Sequence, residues 1–102
     1  MNIEMLSSTK ELARIFKALS DPNRLAILQL MRERCQAGCR FPAGDEGSSV
    51  SEIAEKFDLA LSTVSHHIKE LRNAGLIICE KRGQWVHCAP NEQAIRKIAD
   101  FV

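Results

Sequence analysis

The chain has 102 residues, of which 45% are hydrophobic and 26% are charged, and its formal net charge is +1. These values are typical of one globular domain, which we expect to span residues 1–102, and they exclude a bulk polycation. Any contact with nucleic acid must therefore come from charge that is concentrated locally.

No segment of the sequence indicates secretion or a membrane. The N-terminal residues are too polar for the apolar part of a signal peptide. No run approaches the roughly 18 apolar residues that a membrane span needs. We therefore expect a cytoplasmic protein whose four cysteines are mostly reduced, so that a structural disulfide is not the default.

Two helices are predicted in the first third of the chain. Apolar residues at helical spacing predict the first helix over residues 8–19. Asp21 followed by Pro22 is typical of an N-cap and a first helical position, and predicts a second helix over residues 22–34. This second helix is apolar on nearly all sides, which indicates a central, buried position. The apolar residues of the two helices are Leu12, Ile15, Phe16 and Leu19, and Leu25, Ile27, Leu28 and Met31.

Residues 51–74 have the pattern of two short helices joined by a tight turn, a helix-turn-helix. Their buried faces are predicted by Ile53, Ala54 and Phe57 in the first helix, and by Val64, Ile68 and Leu71 in the second. The outer face of the second helix carries polar groups, almost all of them donors without negative charge: Ser62, Thr63, Ser65, His66, Lys69 and Arg72. A helix of this kind can enter the DNA major groove, although an ordinary solvated surface helix has the same pattern.

The caps of these two helices can also be predicted. Ser51 is a good N-cap for the first helix, and Ser49 with Glu52 three residues later also fits a capping box. Ser62 is placed to cap the second helix. Gly75 follows that helix at the position where a positive φ is usually needed.

The next segment, residues 76–89, predicts a β-hairpin with Gly83 at its turn. A hairpin directly after a two-helix reading unit is a wing, and the tip of this wing carries Lys81, Arg82 and Gln84. The two cationic side chains would reach phosphate or the minor groove. The alternative is that the tip is charged only for solubility.

The register of the hairpin depends on where its turn lies. A two-residue turn at Arg82-Gly83 would pair Cys79 with Val86. One face would then consist of Ile77, Cys79, Val86 and Cys88, and the other would carry Trp85 and His87. We interpret the first face as apolar core in which cysteine serves as a small hydrophobic residue.

Residues 35–49 are rich in glycine and serine and form a loop that is long for a compact domain. Within it, Cys35 and Cys39 could bind one soft ion such as As(III), Cd(II) or Zn(II), on one side of the helix if that helix extends to residue 39. A third ligand would come from Cys79, Cys88 or a second subunit. The same pair could instead form a reversible disulfide, or be incidental surface thiols.

The chain ends with a predicted helix over residues 91–102. Its apolar residues are Ala94, Ile95, Ile98, Ala99, Phe101 and Val102. No further element covers this stripe, which makes the helix a candidate for dimerisation with the first helix, residues 8–19.

Three motifs occur in a fixed order along residues 12–90: Asp-Pro-x-Arg-Leu at the entry to the second helix, Ser-x-His-x₃-Leu-x₂-Ala-Gly-Leu in the outward-facing helix, and Arg-Gly at the wing tip. In these motifs the chain resembles the ArsR/SmtB family of bacterial winged-helix repressors. The resemblance implies a mainly α winged helix-turn-helix with a small β-hairpin, in the order of four helices, the two strands of the wing and a fifth helix. It also implies a homodimer through the first and last helices, a palindromic double-stranded DNA operator, and a ligand that releases the DNA.

Carried over residue by residue, the resemblance places Ser62, Thr63, Ser65 and His66 at positions that contact bases and phosphates, and Arg82 at the wing tip. His67 is expected to turn toward the neighbouring helix on helical periodicity, and so to be structural.

The inducer is left open by the resemblance. Arsenic- and cadmium-sensing members carry a Cys-x-Cys pair in the helix that leads into the reading unit, where this chain has Val50-Ser51-Glu52-Ile53. Zinc- and nickel-sensing members have ligands on the last helix, where this chain has no histidine. The alternatives are therefore a metal, metalloid or thiol-reactive inducer at Cys35 and Cys39, and a regulator that responds to no metal.

Other classes of function fit the sequence less well. No nucleophilic triad, phosphate-binding glycine loop or paired carboxylates indicate an enzyme. RNA binding is disfavoured because tyrosine is absent and the Phe and Trp residues are interpreted as core. A winged helix that serves as a protein-interaction module stays open, and salt-dependent DNA affinity would distinguish it from a repressor.

Overall fold

The computed structural model describes residues 3–35, 41–43 and 47–102, and these form five helices and three short strands. In chain order they are α1 (Ile3–Ala18), α2 (Pro22–Arg34), β1 (Ser48–Ser49), α3 (Val50–Phe57), α4 (Leu61–Asn73), β2 (Ile77–Arg82), β3 (Trp85–Pro90) and α5 (Glu92–Phe101). The predicted class, a mainly α winged helix-turn-helix, is confirmed, and β1 is an additional element. No helix within the described residues is long and apolar enough to cross a membrane.

The predicted start and end of the second helix are confirmed, whereas the first helix has bounds that differ from the predicted residues 8–19. The Asp21 carboxylate accepts a hydrogen bond from the Arg24 backbone N–H at 3.0 Å, and Pro22 occupies the first turn. That backbone hydrogen bond holds the pKa of Asp21 below its ordinary value. Helix α1 begins at Ile3, five residues before the predicted start, because residues 3–7 include good helix formers that extend it.

Only one of the two proposed caps of α3 forms. Ser49 accepts a hydrogen bond from the Glu52 backbone N–H at 3.1 Å, which confirms Ser49 as the N-cap of α3. The Glu52 carboxylate accepts from the Ser49 hydroxyl at 3.0 Å, whereas in a capping box it would accept from the Ser49 backbone N–H, so only the first half of the predicted box is confirmed. The Ser51 cap is wrong because the helix already begins at Val50. The Ser62 cap is also wrong: α4 begins at Leu61, two residues before the start that this cap would give, and its N-cap is Ala60, which makes no side-chain cap hydrogen bond.

The predicted core of the reading unit is confirmed. Ile53, Val64 and Leu71 are fully buried, and Ile68 is nearly so. Two other predicted core residues lie at the surface: Phe16 of α1 is 41% exposed and Leu25 of α2 is 39% exposed. The buried side of α2 consists of Ile27, Leu28 and Met31, so this helix is central but not apolar-buried on every side.

Strand β3 is the centre of a three-stranded antiparallel sheet of order β1-β3-β2. The predicted register is wrong, because the turn lies one residue later, at Gly83-Gln84, and Cys79 pairs with Cys88. Gly83 has φ 63°, which fits the first central position of a type II′ hairpin turn, where glycine is favoured. The pairing moves by two residues, so each side chain keeps its predicted face.

Ion pairs between helices fix the positions of α3 and α5. The Arg32 guanidinium donates two hydrogen bonds to the Glu92 carboxylate at 3.0 and 3.1 Å, and this fork joins α2 to α5. Arg34 at the end of α2 donates to Glu52 of α3 at 2.9 Å. Because these pairs are partly exposed, they fix orientation more than they add stability.

Candidate nucleic-acid interface

The outer face of α4 presents its predicted DNA-contacting side chains to solvent. All six are exposed: Ser62, Thr63, Ser65, His66, Lys69 and Arg72. They are opposite the buried stripe of Val64, Ile68 and Leu71, so the helix cannot rotate without exposing that stripe. The packing of the core thus fixes which face of α4 points outward.

The two adjacent histidines of α4 point in different directions, as predicted. His66 is exposed, whereas His67 is only 7% exposed. Among the described residues the buried Nδ1 of His67 has no hydrogen-bond partner. The nearby His67 ring makes a smaller electrostatic contribution to the low pKa of Asp21 than the backbone hydrogen bond from Arg24 does. His67 therefore belongs to the packing between α4 and the start of α2.

The turn between α3 and α4 sets the angle of the reading unit. Asp58 caps the end of α3 with φ 51° and ψ 46°, a left-handed conformation that aspartate tolerates better than most residues. Its backbone N–H donates to the last carbonyls of α3, and Leu59 then packs against the core. At the other end of α4, Gly75 has φ 77° and follows the helix as predicted.

The three residues predicted at the wing tip have different environments. Lys81 and Gln84 are exposed. Arg82 is held within the protein: its guanidinium lies over the Phe41 ring, 4.9 Å from the centroid, and donates to the Pro42 carbonyl. It also lies 3.7 Å from the Glu80 carboxylate, and its side chain is only 24% exposed. The part of the 35–49 loop around residue 41 therefore docks on the wing arginine.

The sequence interpretation missed Phe41 and Glu80 as determinants of this site. A ring carbon of Phe41 would lie 2.5 Å from a Cβ at Gly47, so the ring also covers the chain just before β1. The signal that was available is weak, namely one aromatic residue in a loop that is otherwise small and polar. The contact depends on tertiary structure, because 40 residues separate Arg82 from Pro42.

The cysteines fall into two groups. Cys35 is the C-cap of α2 and is disulfide-bonded, so the expectation of a reduced thiol is wrong for this residue, and Cys39 lies outside the described residues. The possible extension of the helix to residue 39 is wrong, because α2 ends at Arg34. Cys79 and Cys88 are free thiols in the wing. Within residues 3–35, 41–43 and 47–102, no three His, Cys, Asp or Glu side chains are grouped to hold a metal ion.

A packed two-helix reading unit that is followed by a β-hairpin, to which β1 adds a third strand, defines the winged helix-turn-helix fold of many DNA-binding proteins. A helix-turn-helix domain family model matches residues 19–80 of the chain. The regulator YbzH of Bacillus subtilis, named an uncharacterized HTH-type transcriptional regulator, is 37% identical over 91 residues, which are 86% of this chain and 91% of YbzH.

Two further comparisons identify the family. The arsenical resistance operon repressor of Bacillus subtilis is 35% identical over 80 residues, 78% of this chain and 66% of the repressor. The crystal structure of an ArsR family transcriptional regulator superimposes with a TM-score of 0.72 at 30% identity, over 91% of this chain and 84% of that one. The chain belongs to the ArsR/SmtB family, and it is a DNA-binding transcriptional regulator.

Proposed function

We propose that the protein is a homodimeric repressor of a palindromic operator, and that an inducer acting on the thiols of Cys35 and Cys39 releases it. The inducer class comprises thiol oxidants and the soft ions As(III), Cd(II) and Zn(II). The name of the arsenical resistance operon repressor supports this class. The DNA contacts proposed are Ser62, Thr63, Ser65, His66, Lys69, Arg72, Lys81, Arg82 and Gln84. The proposal includes a cytoplasmic location and no catalytic activity.

The dimer is supported by an apolar surface shared by α1 and α5. Phe16 of α1 and Phe101 of α5 contact edge to face with their centroids 5.8 Å apart, and Phe101 is 65% exposed. Lys97 donates to Glu11 at 2.9 Å, which joins the same two helices. Large exposed aromatic residues on adjacent helices are typical of a protein interface. A two-fold axis through this surface would present two copies of α4 to successive major grooves.

The observation that carries the proposed induction is the contact between the 35–49 loop and the wing. The partners of the Arg82 guanidinium within the described residues include the Phe41 ring, the Pro42 carbonyl and the Glu80 carboxylate. A DNA phosphate would compete with them for the same donors. As long as the loop stays docked, Arg82 is therefore withheld from DNA.

This competition gives the proposed response a direction. The docked loop occurs together with a disulfide-bonded Cys35, six residues before Phe41. We infer that oxidation of the loop thiols favours the docked loop and lowers DNA affinity, and that reduction frees Arg82. A soft ion would need thiolates, and the sulfur of a disulfide supplies none, so Cys35 can bind an ion only after reduction. Ion binding and oxidation are thus alternative ways to constrain one loop.

The test is the affinity for DNA upstream of the protein's own gene, measured by fluorescence anisotropy. The protein is assayed reduced, after treatment with diamide, and with As(III), Cd(II) or Zn(II). Diamide is expected to weaken binding about ten-fold, because each phosphate contact contributes roughly three-fold and the dimer would lose two. The variant Cys35→Ser/Cys39→Ser should not respond.

Two variants of Phe41 separate the loop–wing contact from other effects of oxidation. Phe41→Ala should keep tight binding after diamide treatment, because Arg82 loses the ring that holds it. Phe41→Tyr keeps an aromatic ring at the same position, so diamide should still release this variant from DNA. If the reduced protein binds and no agent releases it, the protein is a constitutive regulator, and if it binds no duplex at low salt, the winged helix is an interaction module.

A further inference from the structure

The wing contains a second pair of thiols, which the proposed induction does not use. Cys79 of β2 and Cys88 of β3 are directly opposite each other in the register, and their Sγ atoms are 2.8 Å apart. Counting from the turn pair Arg82–Trp85, every second pair is without mutual backbone hydrogen bonds, and Cys79–Cys88 is one of them. Such pairs have Cα atoms about 4.5 Å apart, within the range of about 4.4–6.8 Å that a disulfide needs.

The two sulfurs have different environments. Cys88 is fully buried in the core, whereas Cys79 is half-buried and reachable from solvent. A hydrogen bond from the Cys88 thiol lowers the pKa of Cys79, burial opposes that change, and the nearby Arg72 guanidinium of α4 adds to the lowering. The same hydrogen bond and burial raise the pKa of Cys88. Cys79 is therefore the nucleophilic cysteine of the pair, and Cys88 is the resolving cysteine.

We propose that Cys79 and Cys88 are a redox-active dithiol, in which a hydroperoxide oxidises Cys79 and Cys88 resolves the product into a disulfide across the wing. This goes beyond the proposed induction, because it concerns different sulfurs and requires no DNA. Burial of Cys88 explains its value as a small core residue, but core packing does not require a second cysteine at its cross-strand position.

The steps balance as follows with hydrogen peroxide. The Cys79 thiolate attacks one peroxide oxygen, an S–O bond forms, the O–O bond breaks, and hydroxide leaves and takes up a proton as water. The Cys88 sulfur then attacks the sulfur of Cys79, the S–O bond breaks, and the departing oxygen leaves as a second water with the Cys88 proton. Two thiols lose two electrons and two protons, and one peroxide becomes two waters. A dithiol reductant reverses the result by thiol–disulfide exchange.

The experiment uses the full chain with Cys35→Ser/Cys39→Ser, so that only the wing thiols remain. The folded protein is treated with hydrogen peroxide, quenched, unfolded, alkylated and analysed by intact mass spectrometry. We expect the loss of both alkylatable thiols and of two hydrogen atoms within one chain, and full recovery with dithiothreitol. Retention of both thiols, cross-links only between chains, or oxygen addition without a disulfide would each overturn the proposal.

Single variants in the same background test the order of attack. With Cys88→Ser, dimedone should trap a sulfenic acid at Cys79, whereas with Cys79→Ser the buried Cys88 should give no adduct. Equal adducts at both sulfurs would overturn the assignment of the nucleophile. Circular dichroism verifies the fold of each variant, and Cys88→Ala replaces Cys88→Ser if the buried hydroxyl prevents folding. The peroxide result in the parent background needs neither variant.

Arg72 can be tested through the pH dependence of the same sulfur. In the Cys88→Ser background, Arg72→Gln should move the midpoint of Cys79 alkylation to higher pH, because a positive charge no longer favours the thiolate. Lys69→Gln, one turn earlier on α4, is the matched control and should leave the midpoint unchanged. If the alkylation midpoint is the same in both variants, the charge of Arg72 does not favour the Cys79 thiolate.

Discussion

Helix α4 and the wing differ in how their outward side chains are held. The six polar residues on the outer face of α4 are exposed, and their direction follows from a buried stripe on the opposite face of the same helix. In the wing, Arg82 is turned back onto Phe41 and Pro42 of a distant loop. The outward face of α4 is thus fixed by the packing of its own helix, whereas the position of Arg82 depends on contacts with Phe41 and Pro42 of the loop.

The difference shows where regulation can enter such a fold. A face fixed by the core can change only if the core changes, which costs several kcal/mol. A partly exposed side chain that is held through cation–π, hydrogen-bond and ion-pair contacts can be redirected at a smaller cost in free energy. Four predictions test this contrast, beginning with the largest expected effect.

Leu71→Ala should destabilise the protein by about 2–5 kcal/mol, because it removes a fully buried side chain from the stripe that orients α4. Leu61→Ala, on the same helix but 54% exposed, is the matched control and should change stability by under about 0.5 kcal/mol. Urea unfolding followed by circular dichroism measures both. Similar midpoints for the two variants would mean that the core does not fix this helix.

Ser65→Ala and His66→Ala should each weaken operator binding by about 1–3 kcal/mol, roughly 5- to 150-fold, if these side chains contact base edges. Glu33→Ala, exposed on α2, is the control. Gel-shift titration measures affinity, and gel filtration checks that the oligomeric state is retained. Unchanged affinity for both variants would show that the outer face of α4 does not read DNA.

Ser49→Ala should cost about 1 kcal/mol of stability, because it removes the side-chain cap hydrogen bond at the start of α3. Ser62→Ala is the matched control: it changes a serine that sequence alone predicts to be a cap, and it should have almost no effect on stability. Thermal unfolding compares the two. The reverse order would place the cap of the reading unit at α4 instead of α3.

Arg82→Ala should weaken binding to all duplexes about ten-fold in the reduced protein and lower the salt dependence by about two phosphate contacts, one from each subunit of the dimer. After diamide treatment the same substitution should have almost no effect, since Arg82 is then withheld. Arg96→Ala, an exposed arginine of α5, is the control. Loss on one sequence alone would instead mean that the wing reads bases.

The parts of the fold that sequence predicted well depend on local or periodic features. The buried stripe of α4 follows from a spacing of 3.6 residues per turn, and the start of α2 follows from Asp21 and Pro22. The prediction of a cap at Ser62 was wrong because the helix already begins at Leu61, so Ser62 lies inside its first turn. The predicted hairpin register was wrong because the sequence does not distinguish a turn at residues 82–83 from one at residues 83–84. The predicted face of each side chain was still right, because the pairing moved by two residues.

The sequence by itself determined the order of the helices, the reading unit and the face of α4 that points outward, because periodicity and caps act within about four residues. Only the tertiary structure decided that Arg82 lies on Phe41, that Ser48 and Ser49 add a strand to β3, and that Cys79 is opposite Cys88. Each of these depends on residues brought together by folding, and a spacing rule along one chain segment carries no information about such contacts.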